Sequence, residues 1–156
     1  NMFYLASSFN QPLSFDTSSV TDMTSMFYRA LAFNHPLSFD TSSVTTMHDM
    51  FYQAVVFNQP LSFDTSKVTS MWHMFLHASS FNQPLSFDTS SVTDMVQMFY
   101  GAAFLSDANK LLIRCAWAGN SAFASAGYGS SWVLGSCPPP SPSPPPSPPT
   151  QPPSPP

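Results

Sequence analysis

Apolar residues recur along this chain with a fixed period of 24 residues. Four full repeats follow one another, beginning at residues 9, 33, 57 and 81. The apolar positions of the first repeat are Phe9, Leu13, Phe15, Val20, Met23, Met26, Phe27 and Ala30. Such a period is typical of solenoids, in which a repeat buries its apolar side only by stacking on its neighbours. The pattern therefore predicts one core that runs through all four repeats.

Each repeat is predicted to contain a strand followed by a short helical segment. Leu13 and Phe15 alternate with polar residues, which is the period of a half-buried strand, entered here through Pro12. The polar residues 16–18 favour a turn. Spacings of three and four between residues 20 and 30 favour a short second strand or turn and then one or two turns of helix or 3₁₀ helix. The predicted fold class is an α/β solenoid.

The pattern changes after residue 105. Ser106 is a candidate N-cap, Asp107 suits the first turn of a helix, and Gly119 would end it. The residues predicted to share the apolar face of this helix are Ala108, Leu111, Leu112 and Cys115. We expect this helix to cover the apolar end of the last repeat.

Three parts are therefore predicted. Residues 1–105 form the repeat solenoid, with four full repeats and partial ends, residues 106–137 form a C-terminal cap, and residues 138–156 form a Pro/Ser-rich linker. The linker has no apolar side chains to bury, so we expect a disordered segment of polyproline II character. Because the first residues match the end of a repeat, we expect the array to continue upstream of residue 1.

Cys115 and Cys137 lie outside the repeats. They are expected either to form a disulfide or to remain two free buried thiols, and two cysteines alone do not decide between these alternatives.

An asparagine follows the first phenylalanine of every repeat, at Asn10, Asn34, Asn58 and Asn82. Buried loops must satisfy their backbone N–H and C=O groups, so stacked amides are predicted to form a ladder between repeats. Contact with a ligand is the alternative role for these side chains.

Composition limits the classes of partner that this chain is expected to bind. Only 8% of the residues are charged and the net charge is -4, so no basic surface is available for phosphates and nucleic-acid binding is not expected. No apolar run reaches the roughly 18 residues of a membrane span, and none is expected in this chain.

The motif D-T-S-x-V-T-x-M-x-x-M-F occurs at residues 16–27, 40–51, 64–75 and 88–99. It resembles the bacterial surface protein repeat of BspA-like leucine-rich-repeat proteins, although many members have Trp where this chain has Phe15 and its equivalents. The resemblance implies a leucine-rich-repeat-like solenoid that is extracellular or attached to the cell surface, with adhesive roles and no catalytic residues. The tail is similar to the Ser/Pro-rich spacers of plant and algal wall glycoproteins.

Catalysis needs different functional groups that converge at one place. The repeats instead place identical residues in columns, so we expect no enzymatic activity and no cofactor. Asp16, Asp40, Asp64 and Asp88 would form a column of carboxylates, for which turn capping is favoured over Ca²⁺ binding because no loop supplies graded oxygen ligands. His73 and His77 have the spacing of two metal ligands on a helix, but no third ligand is evident and we expect no metal site.

Two threonine columns suggest a second function. Thr17, Thr21 and their equivalents in the other repeats could together imitate an ice-binding face. Threonine also suits strands and turns for ordinary reasons, so an ice-binding solenoid is the alternative function.

The leading hypothesis is a non-enzymatic extracellular or cell-surface scaffold for binding, adhesion or wall architecture, whose partner is a protein or a glycan. An invariant column looks alike in every repeat, so a specific partner must contact the positions that vary. The candidate binding residues at such positions are Arg29, His48, Trp72, His73 and His77. Trp72 is the leading anchor, because an exposed Trp favours sugar rings and protein contacts.

Overall fold

The computed structural model describes residues 1–132 and 135–137. Each 24-residue repeat forms one layer of a stack, which we call a rung; rungs 1 to 4 are residues 9–32, 33–56, 57–80 and 81–104. Backbone amides of one rung donate to carbonyls of the next, as from Phe27 N–H to Met50 C=O at 2.9 Å and from Phe51 N–H to Met74 C=O at 2.9 Å. Equivalent residues therefore lie above one another in columns.

The described rungs contain neither a strand nor a helix, so the predicted α/β leucine-rich-repeat-like solenoid is wrong. Their only strand-like pairing is a row of isolated parallel bridges, which joins Asp22, Thr46, Ser70 and Asp94. The segment expected to be a strand carries Pro12 in rung 1 and Pro36, Pro60 and Pro84 in the others. A proline at the same position of every rung has no N–H for a ladder, so this segment stays irregular.

Consecutive β-turns replace the expected helical segment. The N–H of Met26 bonds the C=O of Met23 at 3.3 Å, and Ser25, the third residue of this turn, has a φ of 54°. Arg29 has a φ of 55° in the turn that follows. A positive φ at the third residue is typical of a type II turn, and a left-handed residue interrupts an α-helix. The spacing of three and four reflects these turns rather than a helix.

Columns of aromatic rings form the core, which confirms the prediction of one continuous core. Phe27 stacks on Phe51 with centroids 5.5 Å apart, and Phe51 stacks on Phe75 at 5.4 Å. Burial is weaker in rung 1, where Phe15 is 36% exposed against 8% for Phe39.

Asparagine side chains hold the rungs together where the backbone cannot. Asn34 N–H donates to the Oδ1 of Asn10 at 3.1 Å, and Asn82 N–H donates to the Oδ1 of Asn58 at 2.8 Å. The Nε2 of Gln83 adds bonds to the C=O and Oδ1 of Asn58. The predicted ladder is confirmed, and it engages the Oδ1 atom of each asparagine.

Among the described residues, three helices follow the rungs: α1 (Asp107–Ala116), α2 (Ser121–Ser125) and α3 (Tyr128–Ser131). The prediction of a helix capped by Ser106 is confirmed, since its hydroxyl accepts from Asn109 N–H. The predicted apolar face is wrong, because Ile113 is buried whereas Leu112 is 45% exposed. Trp117, the residue that follows α1, also packs in the core and is 1% exposed.

The three helices cover the end of rung 4 with side chains that bond its backbone. Trp117 Nε1 donates to the C=O of Phe87 at 3.2 Å, and Asn120 Nδ2 donates to the C=O of Thr89 at 2.7 Å. These bonds lie where a fifth rung would otherwise stack. They satisfy backbone groups that would be left at the edge of the core.

Cys115 of α1 and Cys137 form a disulfide, with their Cα atoms 5.5 Å apart. Of the two states left open by the sequence, the paired one is therefore present. It ties α1 to the chain beyond α3. The predicted Pro/Ser-rich linker, residues 138–156, lies outside the described residues.

Candidate binding face

Three of the columns that vary between repeats lie along one edge of the stack, in the β-turns that follow the isolated bridges. We call this edge the variable face. Its residues are Thr24, Ser25, Arg29, His48, Asp49, Gln53, Trp72, His73, His77, Val96, Gln97 and Gly101. The inward-pointing residues between them belong to the core. The variable face is therefore supported by packing that is the same in every rung.

Two columns of the variable face have a left-handed backbone in every rung. Their non-glycine members are Ser25, Arg29, Asp49, Gln53, His73, His77 and Gln97, with φ between 51° and 57°. The left-handed region costs a residue with a Cβ about 1 kcal/mol or more relative to glycine. Gly101 is the single glycine among the eight positions. Seven of the eight positions thus carry a side chain, although glycine would adopt this backbone conformation at a lower cost in free energy.

A polar network lies at the centre of the variable face. One carboxylate oxygen of Asp49 lies 3.4 Å from the Nδ1 of His48, and the other lies 3.4 Å from the Nδ1 of His73. The Nε2 of His73 lies 3.0 Å from the Oε1 of Gln97. Together with Trp72, these residues form what we call the Trp72 cluster: His48, Asp49, Trp72, His73 and Gln97.

Trp72 lies at the surface of this cluster. Its indole stacks on the imidazole of His73 with centroids 3.8 Å apart and an angle of 22° between the planes. His48 meets the indole at 53° with a centroid distance of 5.9 Å, so it does not stack on the ring. The side chain is 37% exposed, which places it outside the core as expected.

The structure does not bring all five candidate binding residues together. His48, Trp72 and His73 share the cluster, whereas His77 lies over Gly101 and makes an edge contact with Tyr100 at 5.5 Å. Arg29 is exposed two rungs away from His77. Asp49 and Gln97 also lie at variable positions but are not among the five candidates, although a separation of 24 residues from His73 marks both as its neighbours.

His73 and His77 do not share a helical face, because the segment between them is a turn. Within the part of the chain that the structure describes, no three His, Cys, Asp or Glu side chains come together as a metal site requires.

The aspartate column caps turns. Asp16 accepts the N–H of Ser18 at 2.9 Å, and this hydrogen bond holds the pKa of its carboxyl below the usual value. In rung 3 the hydroxyl and the N–H of Ser66 do the same for Asp64 and lower its pKa. Each carboxylate is thus engaged by its own turn.

The two threonine columns differ in exposure. Thr17, Thr41, Thr65 and Thr89 are all buried. The outer column is exposed, but its hydroxyls donate to the backbone, as from Thr45 Oγ1 to the C=O of Thr21 at 3.1 Å. A face with two exposed threonine columns is therefore not formed.

A cleft of about 460 Å³ lies between rung 4 and the C-terminal helices and is lined by Asp88, Ser90, Trp117 and Asn120 among others. A smaller cleft of about 190 Å³ lies beside α2. Neither includes Trp72, so the Trp72 cluster is an open surface rather than a cavity.

No helix among the described residues has both the length and the apolar character that crossing a membrane requires.

The rungs, the ladders and the variable face define a repeat protein whose 24-residue units stack through turns and side-chain hydrogen bonds. The chain matches the family described as "Mycoplasma protein of unknown function, DUF285" over residues 1–62 and 37–128. It therefore belongs to the DUF285 family. No curated protein and no solved structure is significantly similar to it. The match agrees with the expected bacterial surface repeat only at the level of a repeat family, and it extends neither to leucine-rich repeats nor to the tail.

Proposed function

We propose that this protein is a non-enzymatic scaffold of the cell surface or extracellular space that binds a protein or glycan partner through its variable face. The observation that carries the proposal is the left-handed backbone of seven non-glycine residues there, among them Arg29, Asp49 and His73. Backbone strain that persists at surface positions points to a role for the side chains, because folding alone would favour glycine.

Two further observations support a location outside the cell. The Cys115–Cys137 disulfide is of a kind that persists in oxidising compartments. The motif of residues 16–27 resembles the repeat of BspA-like surface proteins, which often have adhesive or partner-binding roles. The surface carries few charges, so long-range electrostatic attraction contributes little and binding must come from direct contacts.

The alternative function, ice binding, has no observation in its favour. It needs two exposed columns of free hydroxyls, whereas Thr17 and its equivalents are buried and Thr45 donates its hydroxyl to the backbone.

A variant that lacks four of the seven side chains on the left-handed columns tests the proposal. Arg29, Gln53, His73 and Gln97 are replaced by glycine together, which relieves backbone strain and so maintains the fold. Labelled wild type and variant are titrated onto a printed array of glycans and extracellular-matrix proteins. We expect saturable binding of the wild type to at least one feature and loss of that binding in the variant.

The matched control changes a different side of the stack. Ser38, Ser62 and Ser86 are exposed and are the same residue in every rung, so their joint replacement by alanine should leave binding unchanged. Equal binding of wild type and glycine variant, or no binding by the wild type, would contradict the proposal.

A further inference from the structure

The Trp72 cluster combines a supported aromatic surface with hydrogen-bonding groups at its edge. From this combination, and resting on the proposed function, we infer that the cluster is a subsite for a pyranose ring of a neutral glycan. The ring would lie on the exposed indole of Trp72, with its hydroxyls bonded to Asp49 and Gln97.

Trp72 differs from Tyr28 and Tyr52 in how its ring packs. Tyr28 and Tyr52 stack on each other with centroids 4.4 Å apart and planes within 7°, so these two rings cover each other's faces. Trp72 instead stacks on the smaller ring of His73, and 37% of the side chain stays exposed. A broad apolar surface of this kind suits the C–H face of a sugar, which needs a flat partner more than a deep pocket.

The groups that contact His73 border this surface. One carboxylate oxygen of Asp49 lies 3.4 Å from the Nδ1 of His73 and the amide oxygen of Gln97 lies 3.0 Å from its Nε2, which leaves the amide N–H₂ of Gln97 as a donor. Carboxylate and amide groups accept from and donate to sugar hydroxyls. Because His73 contacts both groups and also stacks on the indole, the apolar surface and its polar edge lie side by side.

Charge favours a neutral partner. The cluster contains no Lys or Arg, and its single carboxylate, on Asp49, faces the two imidazoles of His48 and His73. A sulfated or phosphorylated ligand would find no permanent cation there, and a cationic ligand would compete with both histidines for one carboxylate. The hydroxyl groups of an uncharged sugar meet neither obstacle.

The surroundings favour a glycan chain over a free monosaccharide. The cluster lies outside both clefts described above, and an open surface buries too little of a small molecule to hold it. Val96 occupies the position of Trp72 one rung further on and is 50% exposed. The apolar surface therefore continues along the stack, where a neighbouring sugar ring of the same chain would lie.

Affinity electrophoresis in native gels tests this inference. Gels contain hydroxyethyl cellulose, galactomannan or xyloglucan as neutral polysaccharides, pectin as an anionic one, or no polysaccharide. The samples are the wild type, Trp72→Ala, Trp72→Phe and Gln97→Ala, with Leu112→Ala as an exposed apolar control on α1. We expect at least one neutral polysaccharide to retard the wild type and Leu112→Ala equally.

The variants should rank by the part of the subsite that they keep. Trp72→Ala should weaken binding about tenfold or more, as loss of a central aromatic contact does. Trp72→Phe should lose less, and Gln97→Ala should weaken binding without removing the aromatic surface. Unfolding curves of all variants, with midpoints close to the wild type, establish that the losses arise at the surface.

Three outcomes would overturn the inference: no retardation by any neutral polysaccharide, retardation by pectin alone, or equal retardation of wild type and Trp72→Ala. If the wild type then still binds a protein on the printed array through its variable face, the proposed function stands and only the glycan assignment fails. If array binding is absent as well, both fail.

Discussion

The hydroxyl of Tyr128 accepts a hydrogen bond from the backbone N–H of Phe99 at 2.9 Å. In rungs 1 to 3 the equivalent N–H donates to a carbonyl of the next rung, as Phe75 does to Met98. A side chain of the C-terminal helices thus takes the place of the backbone of a further rung. The backbone of rung 4 is therefore capped by individual side chains of the C-terminal helices.

Tyr128→Phe should therefore lower the free energy of unfolding by about 1–3 kcal/mol, because it leaves the buried N–H of Phe99 without its acceptor. Urea unfolding followed by circular dichroism measures the change. Tyr100→Phe is the control, since Tyr100 is 60% exposed and should tolerate the same chemical change. Equal losses in the two variants would remove the assigned role of Tyr128.

Rung 2 lacks the glutamine that bonds the preceding rung in rungs 3 and 4, so a substitution that restores it should stabilise the protein. Gln59 and Gln83 each donate two hydrogen bonds to the asparagine of the preceding rung, whereas His35 stands at this position in rung 2 and makes none among the described residues. His35→Gln should raise the free energy of unfolding by about 0.5–1 kcal/mol, the usual net value of such bonds. Gln83→His should lower it. A destabilising His35→Gln would show that the amide ladder is not what fixes this position.

The left-handed turns should reverse the usual order of alanine and glycine. At Gln53, with a φ of 51°, the glycine variant should be more stable than the alanine variant by about 1 kcal/mol. At Lys110, inside α1, alanine should be the more stable by about the same amount. Thermal unfolding of the four variants provides the comparison, and the same order at both sites would contradict the assigned backbone conformation.

The sequence predicted the core, the asparagine ladder and the N-cap of α1. Phe33 and Phe57 are fully buried, Asn34 bonds Asn10, and Ser106 caps α1, all as the pattern indicated. These features follow from periodicity and local chemistry alone.

The backbone conformation of the rungs could not be predicted in the same way. Turns and helices both place apolar residues three and four apart, and Ser25 or Arg29 gives no sign of a positive φ. Gly101, in the same column as Arg29, was the single hint of a left-handed position. Pro12 cannot donate to a strand ladder, but proline is also common at the first residue of a strand, so the sequence alone does not separate the two structures.

The site was only partly predictable for a related reason. Trp72 and His73 vary in the sequence and therefore drew attention, but their stacking depends on the left-handed turn at His73. The roles of Trp117 and Tyr128 depend on how three short helices fold back on rung 4, which no repeat encodes.

Acid should destabilise the rungs through their aspartates. The hydroxyl and N–H of Ser66 lower the pKa of Asp64, so its ionised form is favoured in the folded protein. A lowered pKa contributes stability above the ordinary carboxyl pKa of about 4, and this contribution is lost as the pH falls through the folded-state value. Asp64→Asn should therefore make the loss of stability below about pH 4 shallower. Unfolding free energies measured against pH in both proteins check this, and parallel curves would rule out a contribution from Asp64.

The variable face is the central claim, and Trp72→Ala tests it most directly when unfolding and attachment are measured on the same preparation. The variant is titrated onto the array features that bind the wild type and is unfolded by heat in parallel. The account predicts a nearly unchanged melting temperature, because the side chain is exposed, together with clearly weaker attachment. A large fall in melting temperature would place Trp72 in the packing of the rungs, and unchanged attachment would show that binding occurs elsewhere.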